Sequence, residues 1–173
     1  MSFSETSWPR EKETLYPLLR ERLEALLAGE SDWIANLANA TALIWEAVPD
    51  LNWAGFYRMD NGGELVLGPF QGKPACVRIP RGKGVCGAAA AEGQPQLVPD
   101  VHAFPGHIPC DSASRSELVI PLFGPQGQVA GVLDLDSPRL GRFTREDFLG
   151  LLQAAEVIQS ACFGESKKGM ETE

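Results

Sequence analysis

Apolar residues recur at three- and four-residue spacing in two stretches near the start of the chain. Leu15, Leu18, Leu19, Leu23, Leu26 and Leu27, with Arg22 in the series, predict an amphipathic helix from Glu11 to Leu27 that ends near Gly29. Pro17 is close enough to its start to be tolerated. Ser31-Asp32 caps a second helix, Trp33 to Val48, whose buried stripe is read as Ile34, Leu37, Ala38, Thr41, Ile44 and Trp45. Pro49-Asp50 stops it. The pattern then shortens to that of strands. Asn52 to Met59 and Glu64 to Phe70 form a hairpin across Asp60-Asn61-Gly62-Gly63. Ala75 to Ile79 reads as a short strand, the alanine run Ala88 to Ala91 as a short helix starting near Cys86, and Gln96 to Val98 as another short strand. Glu117 to Phe123 and Gln128 to Asp136 make a second hairpin across Gly124-Pro125-Gln126-Gly127. Thr144, with Glu146 and Asp147 in the first turn, caps a last helix to about Phe163. This order of helices and hairpins is α+β: an antiparallel sheet with helices packed on it and a pocket between sheet and crossovers.

One stretch has neither period. Between Val98 and Leu118 lie both histidines, Cys110, three prolines and six acidic or hydroxyl side chains, and the prolines and Gly106 break any helix. A long irregular loop in a compact domain is usually functional or disordered, and Val98, Val101, Phe104 and Ile108 offer apolar anchors that favour the first. Cys110 is therefore the candidate nucleophile.

With 173 residues and 44% hydrophobic content, the chain can bury one core without staples, so a single domain over 11–163 is expected, with 164–173 a disordered tail. A net charge of −8, and no basic run beyond Lys167-Lys168, argue against nucleic-acid and membrane-surface roles. No apolar run approaches a membrane span and Met1 to Glu13 lacks an apolar targeting core, which gives a cytoplasmic expectation. Four cysteines in such a chain point to catalysis, redox chemistry or metal binding rather than a disulfide framework.

The candidate chemistry follows from this. Gly82-x-Gly84-x-x-Gly87 matches a dinucleotide fingerprint literally, but the helix after it is too short and no parallel crossover follows, so its glycines are read as a tight turn beside Cys86. Cys162 continues the apolar stripe Phe148, Leu151, Leu152, Ala155, Ile158 and reads as inert core. Cys86, near a helix N-terminus, is expected to have a stabilised thiolate. His107 and Cys110, with Cys76 or Cys86, are the rival zinc set, although no CxxC pair is present. Asp134 and Asp136, two apart on a strand, share a face with Ala130 and Val132, and Glu117 at the neighbouring strand's mouth can join them. Crowded, partly buried carboxyls raise one another's pKa, which suits either a cationic ligand group or proton delivery to a departing oxygen. Trp53 and Tyr57, four apart, share a face and can wall such a pocket.

These residues stand in motifs that resemble one family. Asn52-Trp53-Ala54-Gly55-Phe56-Tyr57, Ala75-Cys76-Val77-Arg78-Ile79-Pro80, Gly84-Val85-Cys86-Gly87, Gly106-His107-Ile108, Cys110-Asp111, Ser116-Glu117 and Gly131-Val132-Leu133-Asp134-Leu135-Asp136-Ser137 resemble the free methionine-(R)-sulfoxide reductases built on a GAF domain. The resemblance implies a GAF-like α+β fold and a thiol reductase for the free amino acid, with no cofactor and no metal. It makes Cys110 the attacking cysteine, Cys76 its principal disulfide partner and Cys86 a further cysteine in resolution or relay. Trp53, Tyr57, Ile108, Glu117, Asp134 and Asp136 fall in the substrate pocket, and Glu117 or one of the two aspartates is the proton donor. Thioredoxin as reductant and a homodimer are implied with them. The runner-up is a non-catalytic GAF sensor that binds a small molecule or reports redox state.

Overall fold

The computed structural model of the protein describes residues 7–108 and 111–164. Cys110 and the tail from residue 165, the subjects of two of the expectations above, lie outside the described residues. The described chain forms a six-stranded antiparallel sheet in the order β3-β2-β1-β6-β5-β4. Its strands are β1 (Trp53–Met59), β2 (Glu64–Gly72), β3 (Arg78–Pro80), β4 (Gln96–Val98), β5 (Ser116–Phe123) and β6 (Val129–Ser137). Four helices accompany it: α1 (Lys12–Leu27), α2 (Trp33–Ala47), α3 (Gly84–Glu92) and α4 (Arg145–Phe163).

Alternation along the strands divides the molecule into two cores. On one face Ala54, Phe56, Leu118, Ile120, Leu122, Leu133 and Leu135 pack with the stripes of α1, α2 and α4. Gly150 lets α1 and α4 approach closely, since a Cβ there would lie 2.1 Å from Cγ of Tyr16. On the opposite face Trp53, Tyr57, Val119 and Val132 pack with α3 and with Val98 and Val101 of the crossover. This second face carries the site.

Helix ends follow the expected chemistry. Asp32 Oδ1 accepts a hydrogen bond from Ala35 N at 2.9 Å at the start of α2, and Thr144 and Asp147 form a reciprocal capping box on α4. Three expectations are corrected. The buried arc of α2 is Asn36, Leu37, Ala40, Thr41, Leu43, Ile44 and Ala47, while Ile34 and Trp45 are 53% and 37% exposed and Ala38 is exposed. The helix is wedged between β2, α1 and α4, so its orientation follows from three neighbours, and small Ala40 and Ala47 are turned inward at the contact. The strand read at Ala75 to Ile79 is only Arg78–Pro80, pairing with Glu64 to Val66. The residues before it are diverted by side chains of β1: Trp53 Nε1 donates to Lys73 O and the Tyr57 hydroxyl to Cys76 O, each at 3.1 Å. The crossover read as wholly irregular contains a 3-10 turn over Val101–Ala103, capped by the Asp100 carboxylate.

Candidate active site

Strand register assembles the site. Trp53 on β1 faces Asp136 on β6, and Asp136 in turn faces Glu117 on β5. One row along, Gly55 faces Asp134, which faces Val119. Three carboxyl groups from two adjacent strands thus share one face, at the separations of directly opposed and diagonal cross-strand pairs. Gly55 is required here because a Cβ would lie 2.4 Å from Cβ of Phe70 and 2.8 Å from the Trp53 ring. Without it the Trp53 indole could not lie between Tyr57 and Phe70, on which it stacks at centroid distances of 5.8 and 5.4 Å. The extra residue that shifts the β1–β2 register between Gly55 and Tyr57 lies in β2, where Pro69 has no amide to donate.

Above this floor lies a cleft of about 430 Å³, part of it open to solvent, walled by Trp53, Tyr57, Val85, Cys86, His107 and Ile108. Glu117, Asp134 and Asp136 line its acidic end, and Lys83 with Gly84 at the α3 N-terminus lines it too. The Cys86 thiol lies 3.9 Å from Glu117 Oε1, and the coordinating atoms of Cys86, Glu117 and Asp134 all fall within 4.8 Å of one another. His107 Nε2 is 3.9 Å from Glu117 Oε2.

Burial dominates the electrostatics. Loss of water, then the charges of Asp134 and Asp136, push Glu117 well above the carboxylate range. Desolvation, then Asp134, does the same to Asp136, and desolvation pushes Asp134 up to about 7. The cluster therefore stores protons near neutrality. Asp134 Oδ1 is buried without a hydrogen-bond partner among the described residues, which leaves an acceptor facing the site. Cys86 corrects the expectation of a stabilised thiolate: burial, followed by the Asp134 and Glu117 charges, pushes its thiol well up. The α3 dipole does not overcome burial beside three acids. His107 is held below the usual imidazole range by burial and by His102.

Of the residues expected at the site, Trp53, Tyr57, Ile108, Glu117, Asp134, Asp136 and Cys86 converge on this cleft. Cys76 is half-buried on the loop between β2 and β3, and its neighbour Ala75 lines the cleft. Ile108 and Asp111, the described residues on either side of 109–110, line it as well. Within the rival zinc set Cys110 is outside the described residues; Cys86 gathers instead with Glu117 and Asp134. Sequence reading passed over Asn52, Lys73, Lys83 and Ser114. Asn52 Nδ2 donates to Asp111 Oδ2 at 3.1 Å and to Ser114 Oγ at 3.0 Å. Lys73 Nζ meets Asp111 Oδ1 at 3.2 Å. The hydrogen bonds of Ala113 N and Asn52 and the charge of Lys73 hold Asp111 below the usual carboxylate range. Only adjacency to the motif residues hinted at any of these contacts.

A curled antiparallel sheet with α1, α2 and α4 on one face and a cleft under crossovers on the other is the architecture of a GAF domain, and the GAF domain family model matches residues 22–161. Within that class the chain belongs to the free methionine-R-sulfoxide reductase family. It is 55% identical over 148 residues to free methionine-R-sulfoxide reductase of Escherichia coli, covering 86% of this chain and 88% of that one. The Saccharomyces cerevisiae enzyme of the same name is 43% identical over 157 residues, 87% of each chain. The X-ray structure of free methionine-R-sulfoxide reductase from Neisseria meningitidis in complex with its substrate superimposes with a TM-score of 0.87 at 45% identity, over 92% of this chain and 95% of that one.

Proposed function

We propose that this chain reduces free methionine-(R)-sulfoxide to methionine, with Cys110 as nucleophile. The observation that carries the reading is the buried Glu117, Asp134 and Asp136 cluster facing the Trp53–Tyr57 stack. A free amino acid presents an ammonium, a carboxylate and a side chain, and the cleft has a counterpart for each. Asp134, with a pKa of about 7, is the acid readiest to ionise against an ammonium. Lys83 and the amides opening α3 suit the carboxylate. Trp53, Tyr57, Val85 and Ile108 supply apolar walls for the thioether arm.

Glu117, pushed well above the carboxylate range by burial and then by the charges of Asp134 and Asp136, is held protonated and acts as proton donor. The Cys110 sulfur attacks the sulfoxide sulfur while Glu117 protonates the oxygen; the oxygen passes to Cys110, methionine leaves, and a sulfenic acid remains. Cys76 or Cys86 then condenses with it, releasing water and forming an intramolecular disulfide. Thioredoxin exchange returns both thiols. Cys86, buried and disfavoured as thiolate, suits a relay better than first attack, so Cys76 is the resolving residue in this reading. Assembly as a homodimer belongs to the same proposal, supported by the apolar residues Ile34 and Trp45 that α2 leaves in solvent.

The test is NADPH consumption with thioredoxin and its reductase, comparing the free R epimer, the free S epimer and a peptide-bound sulfoxide. Turnover confined to the free R epimer and abolished in Cys110→Ser is expected. Silence toward all three substrates, repeated in a single-turnover assay after dithiothreitol reduction, would leave the chain as a ligand-binding sensor.

A further inference from the structure

The two loops expected to exchange electrons are tied together by contacts with no place in the chemistry above. Asp111, next in sequence to Cys110, has a side chain only 5% exposed. One carboxylate oxygen accepts from Ala113 N at 2.9 Å and meets Lys73 Nζ at 3.2 Å. The other accepts from Asn52 Nδ2 at 3.1 Å. Lys73 opens the short segment that runs to Cys76, and that segment is pinned at both ends, by Trp53 Nε1 on Lys73 O and by the Tyr57 hydroxyl on Cys76 O. Asn52 completes the link to the sheet: its backbone N–H donates to Asp136 O at 3.0 Å, and its amide also donates to Ser114 Oγ at 3.0 Å.

We propose that Lys73 and Asn52 are positioning residues for disulfide formation: holding the Asp111 carboxylate from two sides, they fix the segment beside Cys110 against the loop that carries Cys76. The proposal rests on the reading of Cys110 and Cys76 as the reacting pair. Condensation requires the two sulfurs to come within bonding range, because the Cys76 sulfur displaces the sulfenic oxygen, which leaves as water with the thiol proton. Cβ atoms in a disulfide are only about 3.8 Å apart. The described residues 73–76 and 111–114 belong to no strand, and side-chain contacts hold both segments: Asp111 with Lys73 and Asn52, and Lys73 O and Cys76 O with Trp53 and Tyr57. The reduction step makes no such demand, since the sulfoxide comes to the Cys110 sulfur from the cleft. Loss of the clasp therefore acts on one step and spares the other. The Lys73 side chain is 69% exposed, so its pair with Asp111 is weak as a source of stability and its removal leaves the fold intact.

The experiment follows both steps in one turnover of the reduced full chain, quenching for methionine and for disulfide and trapping sulfenic acid with a dimedone-type reagent. In Lys73→Met, methionine formation is expected within about twofold of wild type, disulfide formation slowed about five- to tenfold, and the trapped adduct increased. Lys73→Arg, which keeps the charge and the reach, restores the rate, and Asn52→Ala shifts the same step in the same direction. Disulfide formation at the wild-type rate in Lys73→Met overturns the proposal, as does an equal fall in both steps that Lys73→Arg shares. If wild type forms no methionine, the reductase reading fails by itself. Hydrogen peroxide then converts the Cys110 thiolate to the sulfenic acid with loss of hydroxide, and a slower disulfide step in Lys73→Met still supports the clasp while an equal one removes it.

Discussion

Glu117 shows how a single side chain acquires its chemistry. An exposed glutamate loses its proton far below neutrality, but here the carboxyl sits opposite Asp136, near Asp134, and 6% exposed. Ionising it costs hydration that the protein does not replace, and the charge would face two other acids. The protonated form of Glu117 is the active one in the proposed step, so the rate is expected to fall at pH above neutrality as Glu117 releases its proton, whereas ionisation of Asp134 near 7 favours the substrate ammonium. The three carboxyls interact, so the descending limb of kcat/KM reports the cluster rather than one residue. Glu117→Gln is expected to lower kcat by roughly 10²- to 10⁴-fold and to change that limb. An unchanged limb in Glu117→Gln, with activity retained, would move the donor role to another acid.

At the scale of elements, the site face of the sheet is only as steady as the helical layer behind it. Asp147 joins that layer: its buried side chain accepts from the Tyr16 hydroxyl at 2.5 Å, Lys12 Nζ at 2.7 Å and Thr144 N at 2.7 Å. Arg142 lies 3.1 Å away. One carboxylate thus caps α4, anchors α1 and gathers the cations around it, and these hydrogen bonds keep its pKa well below the usual range. Asp147→Ala leaves Arg142, Lys12 and the α4 amides without their acceptor and is expected to cost about 3–5 kcal/mol. Urea unfolding measures this. Because the folded-state pKa is depressed, the contribution is complete above about pH 4 and is lost as pH falls further, so wild type and Asp147→Ala should converge in stability toward strongly acid pH. A gap independent of pH would mean that packing, not charge, supplies it.

The whole molecule is a net −8 chain of 18.7 kDa that places four of its acids along one cleft. No helix among the described residues is long and apolar enough to cross a membrane. Ile34 and Trp45 project from the outer side of α2, and the homodimer reading expects sedimentation at micromolar concentration to report twice the chain mass. A species of 18.7 kDa under those conditions would exclude stable pairing. The α+β class was legible because it rests on local signals: both hairpins, the Thr144 cap and the common face of Asp134 and Asp136 follow from turn residues, capping chemistry and a side-chain period of two, while the GAF-like fold and the reductase family were legible from the resemblance of the motifs. The errors came where neighbours decide. Ile34, Ala38 and Trp45 fit a helical stripe as well as Ala40, Leu43 and Ala47 do, and only the placement of α1, α4 and β2 selects between them. A strand was read through Cys76 because nothing in its own residues announces that Trp53 and Tyr57 hold the chain off the sheet edge.

By itself, the sequence determined the long helices, the strands of the two hairpins and their order, which strand residues alternate onto one face, and which reactive groups the chain possesses, because each is a property of the backbone and its near neighbours. The tertiary structure alone decided how far burial and its neighbours would push the Glu117 carboxyl above the carboxylate range, that the Cys86 thiol would be pushed up rather than stabilised as thiolate, and that Asp111 would be clasped by Lys73 and Asn52. Those outcomes depend on dehydration and on charges brought together from distant parts of the chain, and neither exists until the sheet and its crossovers have closed over the cleft.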